Sequence, residues 1–279
     1  MTAPIVSPKA LNFIAVSPGL LLILALFVLP LGVMALRSVT DPQFGFGNYE
    51  TLLTSSTYLR VAWRTIWISF IATGLCAIVG TPVAYSLAHS DRKLLNGFTL
   101  AVLVLSFLTS SLIRTFAWMV IFGAQGPLAR VLGILGAPGY TLLATPTAVL
   151  VGMVHFLLPI YILTAFSGLR KVPHHLLGAA EGLGASHWFA LRTVYLPLAL
   201  PAIVNGASVV FIIGVGFFIT PALLGGPRQT MLAQLIARSV TQFGDFGFAS
   251  AGGMVLLLIT IGCLWAIRSL AMPKTGRTT

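Results

Sequence analysis

Charge is scarce in this 279-residue chain: Asp, Glu, Lys and Arg together make up 8% of it. A soluble domain carries roughly 25% charged residues, because its surface must face water. Sixteen basic and five acidic side chains are too few to coat a water-soluble protein of this length. Acids are the scarcest group, and Asp41, Glu50, Asp91, Glu181 and Asp245 all fall in loops or at the edges of apolar runs. Cysteine is nearly absent as well. Cys76 and Cys263 lie within apolar runs, which excludes a disulfide framework or a cysteine metal site and leaves packing as their role. Three catalytic patterns are missing too: the Gly-x-x-x-x-Gly-Lys-Ser/Thr phosphate loop, Gly-x-Ser-x-Gly and His-Glu-x-x-His. ATP hydrolysis by this chain is therefore excluded, and His155 with scattered serines is thin support for an intramembrane enzyme. His174 and His175 are adjacent, so they lack the i, i+4 geometry of a metal pair.

What the chain does have is hydrophobic residues, at 57% of the total. They gather into six runs of 21 to 26 residues: Val16–Leu36, Ile66–Ala88, Gly97–Phe122, Thr145–Leu169, Leu196–Pro221 and Phe248–Leu270. A helix needs about 20 apolar residues to cross a bilayer. Outer-membrane strands would instead be about 10 residues long with strict alternation, which no segment shows. The expected fold is an all-α membrane protein with six transmembrane helices, organised as one domain over residues 16–270 between short ends at 1–15 and 271–279. Pro82 and Pro159 sit inside two of the runs, where neighbouring helices can satisfy the carbonyls they release. The first run is too long for a signal-peptide core and reads as an uncleaved anchor.

Six spans place both termini on one side. With the termini inside, nine basic residues, including all four lysines, fall in inner segments and six fall outside, with Arg114 inside a span. The positive-inside rule favours that orientation, and the formal charge of +11 reads as topology and lipid contact with no nucleic-acid patch.

One inner loop, at 170–196 between the fourth and fifth runs, stands out. It contains "GAAEGLGASHWFALRTVYLP", Gly178 to Pro197, with Pro173 just ahead. Pro173 suits the first turn of a short helix, Gly184 suits a left-handed end to it, and Ser186 suits the N-cap of a second. Trp188, Phe189 and Leu191 give that second helix an apolar side, and Pro197 marks the start of the fifth span. A helix–glycine–helix platform of this kind either docks a partner or lies on lipid as an ordinary amphipathic connection.

The loop resembles the cytoplasmic motif of ABC-importer permeases: Glu-Ala-Ala, three residues, Gly, nine residues, Ile, one residue, Leu-Pro. Here the series is Gly178-Ala179-Ala180, Gly184, Val194 and Leu196-Pro197, at matching spacing. The resemblance implies the type I permease fold and a loop that docks into a groove on an ATPase subunit. By that likeness Gly178, Ala179, Ala180, Glu181 and Leu183 contact the ATPase from the first helix. Gly184 and Ala185 turn the chain, Trp188 and Phe189 face the groove, and Leu196 and Pro197 begin the span. The family's leading Glu is Gly178 here, and Glu181 lies three residues on, on the same helical face.

The likeness extends from about Asn48 to the sixth run. "FGNYETLL", "TPVAYSLA", "SFLTSSLIRTFAWMVIFGAQGPL", "PTAVLVGMVHFLLPIYILTAFSGL" and "FFITPALLGGP" resemble the spermidine/putrescine branch of these permeases. The branch implies a multi-pass subunit of the bacterial inner membrane, with both termini cytoplasmic. It also implies a second, related permease as heterodimer partner, two ATPase subunits that bind ATP and Mg, and a periplasmic binding protein. No cofactor, metal or catalytic residue is expected in this chain. A passive channel or scaffold remains the alternative from another class.

For the path of the cargo, the sequence offers Arg114 with Ser110, Ser111 and Trp118 about one turn to either side, and Phe218 in the fifth run. An arginine at membrane depth marks either a functional path or a partnered interior site. Arg114 therefore either contacts an anionic group of the cargo or is a structural residue bonded to neighbouring carbonyls, with Trp118 over its plane. His155 reads as a packing histidine. The branch points to a polyamine; the lack of acids in the spans leaves an aminophosphonate, an opine or another anionic or zwitterionic cargo as the alternative.

Overall fold

A chain in lipid must satisfy its backbone hydrogen bonds internally, so each apolar run should be helical. The computed structural model describes residues 8–271 apart from 137, 138, 140 and 174, and its described elements are helical throughout. In chain order they are α1 (Pro8–Thr40), α2 (Gly47–Thr54), α3 (Ser56–His89), α4 (Lys93–Leu108), α5 (Ser111–Phe122), α6 (Pro127–Ile134) and α7 (Pro146–Leu169). There follow α8 (His175–Gly182), α9 (His187–Ala190), α10 (Leu196–Val215), α11 (Ile219–Leu224), α12 (Leu232–Phe243) and α13 (Phe246–Ala271). A π-helical segment, Leu191–Tyr195, joins α9 to α10. Six helical stretches among the described residues are long and apolar enough to cross a membrane: Ser17–Thr40, Ser56–His89, Ser111–Ile134, Pro146–Leu169, His187–Val215 and Phe246–Ser269.

Two runs differ from the sequence reading. The third, Gly97–Phe122, is not one helix: α4 ends at Leu108, Thr109 turns extended, and α5 begins at Ser111. Thr109 and Ser110, whose hydroxyls can bond nearby backbone groups, mark the interruption. The Thr109 hydroxyl donates back to the Leu105 carbonyl at 2.9 Å. The fifth run breaks too, after Val215, at Gly216–Phe218, and resumes as α11. Its other end reaches further than expected, since the helical path starts at His187.

The chain divides into two compact units. In the smaller, which among the described residues takes in 8–55 and 236–255, a polar network ties α1 to α2. The Ser38 and Tyr49 hydroxyls lie 2.8 Å apart, and the Asn48 amide donates to the carbonyls of Ser38 and Asp41 at 3.1 and 2.8 Å. Asp245 caps α13 by accepting from the Phe248 N–H at 2.8 Å.

The larger unit, residues 56–235 with the stretch from 256, has its core where α3, α7 and α10 meet. Tyr161 of α7 is fully buried there, and its hydroxyl pairs with Thr81 of α3 at 2.7 Å. Its ring lies between two glycines. A Cβ on Gly80 would come within 2.5 Å of the ring from one side, and one on Gly206 within 3.1 Å from the other. Gly168 likewise admits Ala202, whose methyl would stand 2.5 Å from an added Cβ. Helix pairs in lipid gain their stability from such close approach, since lipid tails compete equally for apolar side chains.

Candidate functional site

The loop singled out by its spacing folds as a tight helical hairpin. Helix α8 ends in a Schellman motif, in which the Ala185 N–H donates to the Ala180 carbonyl at 3.1 Å and the Gly184 N–H to that of Glu181 at 2.9 Å. The turn requires a left-handed residue, and Gly184 has φ +92°. Ser186 then caps α9 by accepting from the Phe189 N–H at 3.4 Å. Past α9, the Leu196 N–H reaches back five residues to the Leu191 carbonyl. Pro197 follows with no N–H to give, so the regular ladder is relaxed at this point into one wide turn before α10 proceeds.

The hairpin has an inner and an outer face. Leu177, Ala190 and Tyr195 are buried. The Tyr195 ring meets Tyr85 edge-on at 5.0 Å and His89 at 5.4 Å, which fastens the hairpin to the end of α3. On the other side Leu183 is 91% exposed, Trp188 70% and Phe189 60%. Gly178, Ala179, Glu181 and Gly184 are exposed as well, while Ala180 and Ala185 are half-buried. Leu196 and Pro197 are exposed at the start of α10. The residues expected to contact a partner are thus brought together on one short hairpin whose apolar side is uncovered.

Glu181 takes a different place from the one its spacing implies. Its carboxylate does not stand in for a side chain at Gly178; it accepts from His187 Nδ1 at 2.6 Å, across the Gly184 turn. Sequence reasoning missed this pair because the residues are six apart and meet only once the turn has formed. His174, the other half of the histidine doublet, lies outside the described residues.

In the broken third run Arg114 is 7% exposed. Its guanidinium donates to the carbonyl of Ser106 and, at 3.1 Å, to that of Thr109, at the end of α4. Those carbonyls have no partner within their own helix, and a cation also suits the negative end of the helix dipole. The ring beneath the guanidinium is Phe156 of α7 at 5.3 Å, where Trp118 was expected. Phe156 in turn packs on Phe217 at 4.9 Å, so one stack reaches from the break before α5 to the break after α10. Trp118 instead donates its indole N–H to His155 Nδ1 at 3.0 Å and stacks on Phe122 at 4.8 Å. Ser110 is exposed ahead of α5, Ser111 is half-buried at its first turn, and Phe218 is 44% exposed. Thr115 and Thr220, not anticipated from sequence, join α5 to α11 through hydroxyls 3.2 Å apart. A signal for the Arg114 arrangement was present: a hydroxyl pair that breaks the run, followed within one turn by the only arginine inside it.

Comparison with known proteins places this architecture. Residues 13–268 match the family described as "Binding-protein-dependent transport system inner membrane component". The chain is 35% identical over 216 residues to the spermidine/putrescine transport system permease protein PotB of Haemophilus influenzae, covering 76% of this chain and 74% of that one. Against PotB of Escherichia coli the identity is 31% over 219 residues, covering 77% and 78%. The osmoprotectant import permease protein OsmW of Salmonella typhimurium is 27% identical over 228 residues, covering 81% and 96%. Among solved structures, a chain of a bacterial ABC transporter that imports the acidic polysaccharide alginate superposes with a TM-score of 0.79, at 15% identity and 94% coverage of both chains. The MetNI methionine ABC transporter, in an inward-facing conformation, gives 0.59 at 21% identity, covering 76% and 94%. A family match over residues 13–268 and six helical stretches long and apolar enough to cross a membrane make the chain a multi-pass inner-membrane permease of the binding-protein-dependent ABC importers, in the branch that includes the spermidine/putrescine permeases.

Proposed function

We propose that this permease carries a polyamine of the putrescine or spermidine type, and that the hairpin from His175 to Tyr195 couples it to an ATPase. The observation that carries the coupling role is the uncovered apolar face of Leu183, Trp188 and Phe189 on a hairpin with family spacing. The partners are a second, related permease, two ATPase subunits on the side of the hairpin, and a binding protein on the opposite side. ATP and Mg belong to the ATPases, and both termini share the cytoplasmic side with the hairpin.

ATP binding would draw the ATPases together and move the docked hairpins. Because α9 runs through the π segment into α10, a displacement of Trp188 and Phe189 is passed into the helical path from His187 to Val215. The cargo then passes only in the conformation that the nucleotide state favours.

Polyamine cargo is supported by the relatives, which are spermidine/putrescine permeases across more than 70% of both chains. The engagement of Arg114 with the carbonyls of α4 supports the same reading, since it uses that guanidinium within the protein instead of against an anion. With no Asp or Glu in the apolar runs, this subunit would hold the cation weakly, against aromatic faces. Calorimetry of the cognate binding protein against putrescine, spermidine and aminoethylphosphonate tests the cargo. Polyamine binding is expected, and binding of aminoethylphosphonate alone would overturn it. For coupling, Trp188→Asp should release the ATPase subunits on purification and abolish uptake; a fully assembled, active complex would refute the docking role.

A further inference from the structure

Given the ATPase-docking role proposed above, we infer that Glu181 and His187 form a clasp that holds the two short helices of the hairpin at a fixed angle. The carboxylate is an acceptor only, so the imidazole must carry its proton on Nδ1, and the contact forms whether or not the ring is charged. Without the clasp, the turn has few restraints. The Schellman bonds fix the end of α8, and Ser186 fixes the start of α9. Those bonds enclose Gly184 at its left-handed φ of +92°, so the joint left between the two caps is Ala185–Ser186. The Glu181–His187 bond closes a ring across this joint.

An exposed pair of this kind contributes little to an isolated protein, because water competes for both partners. Here the side chains are 69% and 41% exposed for His187 and Glu181. The same bond strengthens when a partner groove removes that water. Its effect therefore belongs to the assembled importer. Glu181 and His187 are positioning residues: they set the angle between Leu183 on one side of the turn and Trp188 with Phe189 on the other. The clasp also accounts for where the acid sits. A Cβ at position 178 would meet no atom within 4 Å, whereas Glu181 serves the hairpin internally.

The test uses the full importer reconstituted with its ATPases and loaded binding protein. Glu181→Ala and His187→Ala should each lower cargo uptake per ATP hydrolysed by about three- to fivefold. The ATPase subunits should be retained, and the concentration of binding protein giving half-maximal activity should not change. The double variant should be no worse than either single one, and His187→Lys, which keeps a donor for Glu181, should recover most of the loss. Trp188→Ala, which strips the docking face directly, is the control for the hairpin's role. Additive losses in the double variant, or a His187→Lys importer as impaired as His187→Ala, would overturn the clasp. Full coupling in both alanine variants while Trp188→Ala sheds the ATPase would remove the clasp and leave docking intact. If Trp188→Ala is also silent, the docking role fails and the clasp fails with it.

Discussion

Helices α1 and α7 are both apolar enough to cross a membrane, yet they meet their surroundings in opposite ways. Along α1 from Leu20 to Leu29 the large apolar side chains are open to the medium, among them Leu26 and Phe27 at 69% exposure. In α7, Met153, Leu157 and Tyr161 are fully buried. Glycine content does not separate the two helices. A Cβ added to Gly19 or Gly32 of α1 would meet nothing within 4 Å, while on Gly152 it would stand 2.6 Å from Thr220 and Leu224, and on Gly168 2.5 Å from Ala202. Hydrophobicity decides that a segment enters lipid; contact between small residues on facing helices decides what it packs against.

The strongest way to break that comparison is to enlarge the glycines. Gly168→Leu should destabilise the permease by more than about 3 kcal/mol, the upper range for an overpacked core, and remove most folded protein. Gly32→Leu should leave yield and thermal midpoint unchanged. Fluorescence-detected gel filtration after a heat ramp would show the contrast, and equal midpoints would refute it.

A smaller effect is expected at the hairpin, where the same contrast arises from backbone conformation instead of space. Neither Gly178 nor Gly184 has an atom within 4 Å of an added Cβ, but only Gly184 has a left-handed φ, at +92°. Gly184→Ala should therefore cost about 1–2 kcal/mol locally and lower uptake roughly tenfold. Gly178→Glu should be tolerated and should match the residue usual at that position in the family. Uptake rates normalised to membrane-inserted protein separate the two outcomes. The smallest effect is expected at the α3–α7 contact. Thr81→Val removes the partner of the Tyr161 hydroxyl and should lower stability by about 1 kcal/mol, seen as a modest drop in thermal midpoint.

The regular parts of this fold were legible because lipid imposes one simple rule of length and hydrophobicity. The first, second, fourth and sixth runs follow it as continuous helices, and Gly184 and Ser186 behaved as their chemistry dictates. The interruptions were harder to read. Thr109 and Ser110 are each tolerated singly inside apolar helices, and the run breaks where the Arg114 guanidinium reaches back to the carbonyls that the break exposes. The break after Val215 likewise coincides with Phe217 seated on Phe156, a contact between residues 61 apart in sequence. The Glu181–His187 pair shows the same limitation at short range. Helical spacing rules connect residues three and four apart, and a bond that spans a turn lies outside them.

The π segment at Leu191–Tyr195 also sets an azimuth. One residue more than a regular turn requires rotates everything upstream by about 100° about the helix axis, since an α-helix advances one residue per 100°. Trp188 and Phe189 therefore point where they do because of a phase offset stored in five residues. The helical path they drive is 29 residues long, or about 43 Å at 1.5 Å per residue. Over that length a tilt of about 5° at the hairpin displaces the far end by roughly 4 Å, about the thickness of an aliphatic chain. The wide turn aims the lever arm, and its length sets the gain.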